Sequence, residues 1–257
     1  MKRYLITLAT GGFVLAVGLN NAVAQDDDDD GGAVPVEIYT CNYADGKGPA
    51  DLDKVVANWS KWADDQETNN YSAWTMTPFY SSPEQEFDVI WMGVTETGQE
   101  MGAAQDDWLA NGGDVAAEFD SVSPCNAHSM FAAVQIKDPP DREDPSSVVI
   151  SFSDCTIGDG HSFSEAVMPA LQSWSEFRSG HGSTAGMWVF FPVYGGGGEE
   201  YDFKWVVSHG NHADAGSDFD NYDPAKAREI FPSGMLDCDS ARAYNATNRR
   251  MAESDDE

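Results

Sequence analysis

The spacing of apolar and polar residues predicts a series of strands and helices in the first half of the chain. Apolar and polar residues alternate over 36–42, which is typical of a strand. The next apolar residues recur at the spacing of one helical face, at Leu52, Val55, Val56, Trp59 and Trp62. Further along come strands over 72–80 and 87–91, helical stretches over 99–109 and 114–119, and a strand over 125–136. The predicted order is β-α-β-β-α-β.

The same order is predicted again after a segment that cannot join a sheet or a helix. Residues 138–146 hold three prolines among charged side chains, which indicates a linker. Beyond it the pattern predicts a strand over 148–153, a helix over 163–177, strands over 186–194 and 201–207, helices over 214–220 and 224–231, and a strand over 240–247. We expect Pro169 to shift or kink the start of the first of these helices.

Residues of the aromatic strands recur at one offset in the two halves. The pairs Trp74 and Trp188, Pro78 and Pro192, Tyr80 and Tyr194, Asp88 and Asp202, and Trp91 and Trp205 are all 114 positions apart. A constant offset of this kind indicates an internal duplication.

The two ends of the chain are predicted to lie outside the duplicated part. Residues 1–24 have a basic start, an apolar run and a small-residue cleavage site, which is typical of a secretory signal peptide. A membrane anchor is the alternative, but the apolar run is shorter than the roughly 20 residues that span a bilayer. We therefore expect a periplasmic or secreted protein. The predicted divisions after the signal are an acidic spacer (25–34), repeat 1 (35–137), the linker (138–146), repeat 2 (147–249) and an acidic tail (250–257).

The charge of the chain limits its partners. Asp and Glu number 44 against 14 Lys and Arg, which gives a formal net charge of -30. Such a surface repels phosphate backbones and anionic lipid. We expect no nucleic-acid partner and, once the signal is removed, no membrane partner.

The four cysteines occupy matching places in the two halves. Cys41 and Cys155 lie at the ends of the first strands, and Cys125 and Cys238 lie at the starts of the fourth strands. In a βαββαβ sheet with strand order 4-1-3-2 these strands are neighbours, so we expect the disulfides Cys41–Cys125 and Cys155–Cys238. A Cys/His metal site is the alternative, but no CxxC spacing occurs. We expect no metal site.

A tandem pair of βαββαβ units resembles the ferredoxin-like fold, and specifically the dimeric α/β-barrel superfamily. The resemblance covers about 36–247 and rests on the order of elements, the duplication and the aromatic strands. It implies an α+β fold in which two ferredoxin-like repeats pack as a pseudo-dimeric α/β barrel within one chain. We expect such a chain to be a monomer.

The aromatic strands are the predicted ligand-binding region. If the faces that carry Trp74, Trp91, Trp188, Trp205 and Phe190 are the inner ones, these rings enclose a cavity for a small apolar or aromatic ligand. The alternative is that the rings only pack against helices or fill the interface between the sheets.

The resemblance also implies candidate chemistry, because the superfamily includes cofactor-free monooxygenases and haem proteins such as chlorite dismutases. Some of the oxygenases combine an Asn on the first strand, a Trp on an inner strand and a His on the second helix. Asn42 and Trp91 match in the first half, and Trp205 and His212 match in the second. Neither half has all three residues, because Glu100 takes the place of the His in the first half and the second half lacks the Asn.

The histidines are the remaining candidates for catalysis or cofactor binding. His209 and His212 are three residues apart and could bind a metal or haem, although exposed loop histidines without such a role are the alternative. Haem is the cofactor that the resemblance leaves open. Because four of the five histidines lie in the second half, we expect a site beside Trp205. Three functions stay open: a ligand-binding barrel, a monooxygenase or haem enzyme, and a protein-interaction module without a pocket.

Overall fold

The computed structural model of this protein describes residues 32–66, 70–139 and 146–252. The first half contains β1 (Val34–Cys41), α1 (Pro49–Asp64), β2 (Ser72–Tyr80), β3 (Val89–Val94), α2 (Gly98–Asn111), α3 (Gly113–Val122) and β4 (Cys125–Lys137). The second half contains β5 (Ser147–Ile157), a turn of π-helix (Phe163–Val167), α4 (Met168–Gly180), β6 (Gly186–Tyr194), β7 (Phe203–His209), α5 (His212–Asp220), α6 (Pro224–Ile230), β8 (Leu236–Cys238) and β9 (Arg242–Arg250). The predicted signal peptide, most of the acidic spacer and of the linker, and the end of the acidic tail lie outside the described residues.

Eight of the strands close into an antiparallel barrel. Their order is β7-β6-β4-β1-β3-β2-β9-β5, and the pairing of β5 with β7 completes the circle. The short β8 pairs with the last residues of β5. The predicted α+β barrel within one chain is confirmed at the level of the fold class.

Both halves of the chain show the same strand order, which is β4-β1-β3-β2 in the first and β9-β5-β7-β6 in the second. The halves are joined by the pairs β2 with β9 and β4 with β6. Cys238 belongs to the separate strand β8 rather than to the fourth strand of its half, which differs from the sequence-based expectation. The expected effect of Pro169 is observed, because the regular helix α4 begins only at Met168, after the π-helical turn, and has Pro169 in its first turn.

The inside of the barrel is a packed core. All eight barrel strands contribute buried side chains to it: Val36, Ile38, Met76, Ile90, Met92, Phe131, Ala133, Ile150, Phe152, Phe190, Val206, Tyr244 and Ala246. The ring of Phe152 lies edge-on to those of Phe190 and Tyr244, at centroid distances of 6.0 and 5.7 Å. Trp74 and Trp188 are partly buried against the same core. These side chains fill the space in which the sequence predicted a ligand.

The aromatic strands place their tryptophans on two different faces. Trp91 lies opposite Thr75 rather than opposite Trp74, and the second half repeats this arrangement with Trp205 and Trp188. Trp91 and Trp205 therefore face outward, toward the helices. The condition for one inner cavity, that all four tryptophan faces are inner ones, is not met, because the strand register places Trp91 and Trp205 on the outer face.

The helices cover the outer face of the barrel. Both predicted disulfides are confirmed. Cys41 is bonded to Cys125, and Cys155 is bonded to Cys238. Each bond joins the first strand of a half to the region of its last strand, at a sequence separation of 84 and 83 residues respectively. None of the helices within the described ranges has both the length and the apolar character needed to cross a bilayer.

Candidate ligand-binding site

A cavity of about 260 Å³ lies between the outer face of the first-half sheet and helices α1, α2 and α3. Strands β1, β2 and β3 form its floor, and the three helices form its walls. Most of its larger lining side chains are aromatic: Tyr39, Trp59, Trp62, Tyr71, Trp91, Trp108 and Phe119. The cavity therefore lies beside Trp91, whereas the distribution of histidines in the sequence predicted a site beside Trp205.

Helix α1 contributes two of the tryptophans because its apolar residues recur on one face. Trp59 is buried and meets Trp91 of the sheet, with ring centroids 4.7 Å apart and planes at 86°. One turn further, Trp62 meets Trp108 of α2 at 5.3 Å and 80°. Aromatic pairs in this edge-to-face geometry stabilise by about 0.5–1.5 kcal/mol beyond their buried area. Phe119 of α3 completes the ring cluster at 5.6 Å from Trp91.

Helix α2 is held in place by a capping box. The Thr97 hydroxyl accepts a hydrogen bond from the backbone N–H of Glu100, and the Glu100 carboxylate accepts one from the backbone N–H of Thr97. Glu100, the residue that the sequence has in place of a His, is thus used to start the helix. The following turns bring Ala104, Gln105 and Trp108 to the cavity.

Glu37 is the polar centre of the cavity. It lies on β1 between the inward-facing Val36 and Ile38, so its side chain points to the helix-covered face, and the residue is only 3% exposed. The Tyr71 hydroxyl donates to its Oε1 at 2.6 Å, and the Gln105 amide donates to its Oε2. Burying a carboxylate costs several kcal/mol unless hydrogen bonds and partners compensate. Such a group beside an aromatic cavity is a candidate functional residue.

Gly93 makes room for this arrangement. It lies opposite Glu37 in the sheet register, and a Cβ atom at this position would collide with the Tyr71 hydroxyl. That hydroxyl also accepts a hydrogen bond from the indole N–H of Trp91, at 2.9 Å. The absence of a side chain at position 93 therefore allows Tyr71 to lie across the sheet and join Trp91 to Glu37.

Two tyrosines beside Glu37 remain hydrogen-bond donors at ordinary pH. Burial raises the pKa of Tyr39 and of Tyr71, and the charge of Glu37 raises both pKa values further. Neither phenol is therefore placed to act as a base or as an anionic ligand.

His128 of β4 connects Glu37 to the solvent. Its Nε2 lies 2.8 Å from Oε2 of Glu37, and its ring stacks on Tyr39 with a centroid distance of 3.7 Å and an angle of 10°. The imidazole is 45% exposed, whereas the Glu37 side chain is 4% exposed. The pair thus extends from the cavity floor to the surface.

The structure does not bring the predicted catalytic candidates to this cavity. The Asn42 amide donates to the backbone carbonyl of Glu86. His209 lies 3.2 Å from a carboxylate oxygen of Asp218, and His212 lies 2.8 Å from the side-chain oxygen of Asn245. Asn42, His209 and His212 are all outside the cavity lining, and whether they have a catalytic role stays a prediction.

The donor atoms of the cavity do not fit haem. Haem iron takes an axial His, Cys thiolate, Met or Tyr. Among the lining residues that the structure describes there is no His and no Met, and Cys41 and Cys125 are bonded to each other. The two tyrosine hydroxyls are engaged at Glu37 with raised pKa values. The described ranges also contain no cluster of three or more His, Cys, Asp or Glu able to hold a metal ion.

The corresponding outer face of the second half is filled by side chains. Phe203 is fully buried and meets Phe163 edge-on at 5.5 Å. Trp205 packs against Phe231 at 5.9 Å, and its indole nitrogen is buried without a hydrogen-bond partner among the described residues. Of the five predicted ligand-binding residues, only Trp91 lines the cavity.

The sequence contained a signal for Glu37 that the prediction did not use. In the alternating strand 36–42, Glu37 and Tyr39 share the face opposite to Val36 and Ile38. The predicted helix that carries Trp59 covers this face of the strand. A carboxylate on a strand face that must meet an aromatic helix indicates a buried polar group.

No protein-family model and no curated protein matches the chain. Solved structures do match. A putative monooxygenase from Fusobacterium nucleatum has a TM-score of 0.58 at 6% identity, with 87% of this chain and 95% of that chain covered. A putative chlorite dismutase has a TM-score of 0.52 at 11% identity, with 85% and 96% covered. An anthrone oxidase-like protein has a TM-score of 0.50 at 9% identity, with 88% and 98% covered. At such identities the likeness concerns the fold alone.

Proposed function

We propose that this protein binds a small, mostly apolar or aromatic molecule in the cavity between the first-half sheet and helices α1, α2 and α3. The observation that supports this is an aromatic cavity of about 260 Å³ with one buried, hydrogen-bonded carboxylate. Small-molecule sites in proteins combine apolar and aromatic walls with a few polar groups that fix the ligand's orientation. The volume suits a ligand smaller than most drugs.

The cost of burying Glu37 argues against a purely structural role for the cluster. A well-packed apolar side chain of similar volume is often as stabilising as a buried ion pair, or more so. The first-half sheet instead retains Glu37 with Tyr71, Gln105 and His128 around it. We interpret the cluster as the part of the site that recognises a polar group on the ligand.

Intrinsic tryptophan fluorescence tests this proposal, because Trp59, Trp62, Trp91 and Trp108 all line the cavity. Titration with a panel of small aromatic, aliphatic and cationic compounds should give saturable quenching by at least one of them. Ala104→Phe, which places a ring in the cavity, should abolish that quenching. Ala110→Phe, on an exposed position of the same helix, is the control and should leave the quenching unchanged. Failure of every compound to bind would contradict the proposal.

A second candidate function is oxygenation of the bound molecule without a cofactor. The pair of Glu37 and His128 supports it, because a carboxylate in contact with an exposed imidazole can take a proton from a bound substrate and pass it to solvent. The substrate itself would then supply the electrons that reduce oxygen. Each compound that quenches the fluorescence should be incubated in air with the purified protein, and oxygen uptake should be recorded. Oxygen uptake that is lost in His128→Gln would support the oxygenase. Ligand binding without oxygen uptake would support a binding protein that has no such activity.

We further propose that the two halves are tandem ferredoxin-like repeats, 35–137 and 147–249, that the chain works as an exported monomer, and that residues 1–24 are removed. The equal strand order of the halves supports the duplication. The closed barrel supports the monomer, since it completes within one chain the pairing that two subunits would otherwise share. The two disulfides support export to an oxidising compartment.

A further inference from the structure

We propose that the ligand of the cavity is a small organic cation, such as a quaternary ammonium compound or a protonated alkylamine. This inference rests on the proposed function, because it names the chemical class of the molecule bound there. Three properties of the cavity carry it: the charge of its lining, the angles between its rings, and the position of its buried carboxylate.

The charged residues that line the cavity are all acidic. Glu37, Asp107 and Asp120 line it, and no Lys, Arg or His is among the lining residues that the structure describes. Two basic groups next to this lining already have partners. His128 contacts Glu37, and Arg249 donates to the Thr75 hydroxyl while its guanidinium lies 2.9 Å from a carboxylate oxygen of Asp53. A ligand that enters the cavity therefore meets carboxylates and no unpaired cation, which favours a positive charge.

The rings of the cavity form a box rather than a slot. The planes of Trp59 and Trp91 meet at 86°, those of Trp62 and Trp108 at 80°, and those of Trp91 and Phe119 at 77°. A flat aromatic ligand is held best between parallel rings, whereas a compact cation is attracted to ring faces that surround it from several directions. Tryptophan has the strongest attraction for cations among the aromatic side chains. Four of the lining rings are tryptophans, which suits a compact cation.

The buried carboxylate lies at the floor of this box. Glu37 receives hydrogen bonds from Tyr71 and Gln105, which hold its oxygens in place beneath the rings. Because water is largely excluded around a residue that is 3% exposed, the attraction between this carboxylate and a cation is stronger than at the surface. Tetraalkylammonium groups have no hydrogen to donate, so they need this combination of ring faces and a nearby negative charge.

The experiment compares a cation with its neutral isostere. Choline and 3,3-dimethylbutan-1-ol differ in one atom, nitrogen in place of carbon, and have nearly equal size. Titration of the purified full chain, followed by tryptophan fluorescence and calorimetry at physiological salt, should show choline binding at least about tenfold more tightly than the neutral alcohol. Ala104→Phe should abolish both signals, which separates the cavity from the acidic surface.

Variants of Trp62 and Glu37 test the two kinds of group that should attract the cation. Trp62→Phe should weaken choline binding, and Trp62→Leu should weaken it more, because ring faces attract only the cation. Both variants should change binding of the neutral alcohol little. Glu37→Gln should reduce the preference for choline, and circular dichroism will show whether that variant folds. Equal binding of choline and 3,3-dimethylbutan-1-ol by the unmodified protein would overturn the inference without needing any variant. Binding of a neutral or anionic compound but not of choline would also overturn it while leaving the proposed function intact, and absence of binding by every compound would overturn both.

Discussion

The outer faces of the two halves of the barrel use the same frame in opposite ways. In the first half, Val89 lines a cavity beside Trp91. In the second, the residue 114 positions later is Phe203, which fills the corresponding face together with Phe163. Matching backbone and matching tryptophans thus do not decide whether a site is open. The size of the neighbouring side chains does.

The two halves also differ in where they bury charge. The positions 114 residues after Glu37 and Tyr39 are Ser151 and Ser153, so β5 carries serines where β1 carries the carboxylate and the phenol that line the cavity. A buried ion pair of the second half lies between helices α4 and α5, where Arg178 meets Asp218 at 2.6 Å. In one half the buried carboxylate lines a cavity and contacts a half-exposed imidazole, whereas in the other it contacts a buried arginine. This difference separates a candidate binding group from a structural ion pair.

The largest expected effect on stability comes from removing a disulfide, and ligand binding then distinguishes the two bonds. Replacing either pair with serines should lower the free energy of unfolding by about 4–5 kcal/mol, because both bonds close loops of more than 80 residues in the unfolded chain. Only Cys41 and Cys125 line the cavity. Urea denaturation should therefore show similar losses, while fluorescence titration should show weakened binding for Cys41→Ser/Cys125→Ser alone. If both double variants weakened binding equally, the shape of the cavity would not depend specifically on the disulfide of the first half.

The next effect concerns the ion pair of the second half. Burial alone would raise the pKa of Asp218, but hydrogen bonds from His209, Ser183 and Arg178 outweigh it and hold the pKa well below its usual range. A carboxyl with a depressed folded-state pKa contributes stability above its unfolded pKa, near 4, and loses that contribution as the pH falls further. Asp218→Asn should cost about 3 kcal/mol at neutral pH, because it leaves Arg178 buried without its anion.

Denaturation at a series of pH values provides the readout for Asp218. The unmodified protein should lose stability between about pH 4 and pH 2, and Asp218→Asn should lose less over that range. Asp220→Asn, an exposed position on the same helix, is the control and should follow the unmodified protein. Parallel pH profiles for all three proteins would show that the pair does not contribute.

A smaller loss is expected from Gly93→Ala in the first half. The added methyl group collides with the Tyr71 hydroxyl, and overpacking of this kind costs about 1–3 kcal/mol. Displacement of Tyr71 should also release Glu37 and change the fluorescence of Trp91. Gly102→Ala, where nothing lies near the new atom, should be neutral or slightly stabilising because alanine favours a helix interior. Thermal denaturation of both variants checks the contrast.

The smallest effect on stability, together with a clear loss of binding, is expected from Val89→Phe, which gives the first half the residue of the second. The cavity accepts the added atoms, so the free energy of unfolding should change by less than about 1 kcal/mol. Affinity for any compound that binds the cavity should fall at least about tenfold. The converse change, Phe203→Val, should not create binding in the second half, because Ser151 takes the place of Glu37 there. Binding that survives Val89→Phe would place the ligand elsewhere.

Much of the fold could be predicted from local patterns. The period of two in the strands, the helical face from Leu52 to Trp62 and the constant offset between the halves indicated each element and the duplicated order. Neighbouring strands one and four then required the pairing of Cys41 with Cys125, which the structure confirms. These features depend on residues close in sequence or on one topological rule.

The site could not be predicted in the same way. Which face of each aromatic strand turns inward depends on the register between neighbours, and Trp91 lies outward because it is opposite Thr75. The cavity depends on three helices that meet above that face, and on Gly93, Tyr71 and Glu37 from three separate segments. His209 and His212 lie outside this cavity: His209 contacts Asp218, and His212 contacts Asn245 and the ring of Phe79.

Local patterns in the sequence were enough to predict the alternating strands, the amphipathic helices, the order of elements in each half and the cysteine pairs, because each is set by periodicity or by adjacency in a known strand order. Only the tertiary structure decided that the barrel interior is packed, that one outer face is open and that a carboxylate lies at its centre. The reason is physical. A cavity is the space that distant side chains leave between them, and its volume depends on register, helix placement and side-chain size together, none of which a local pattern contains.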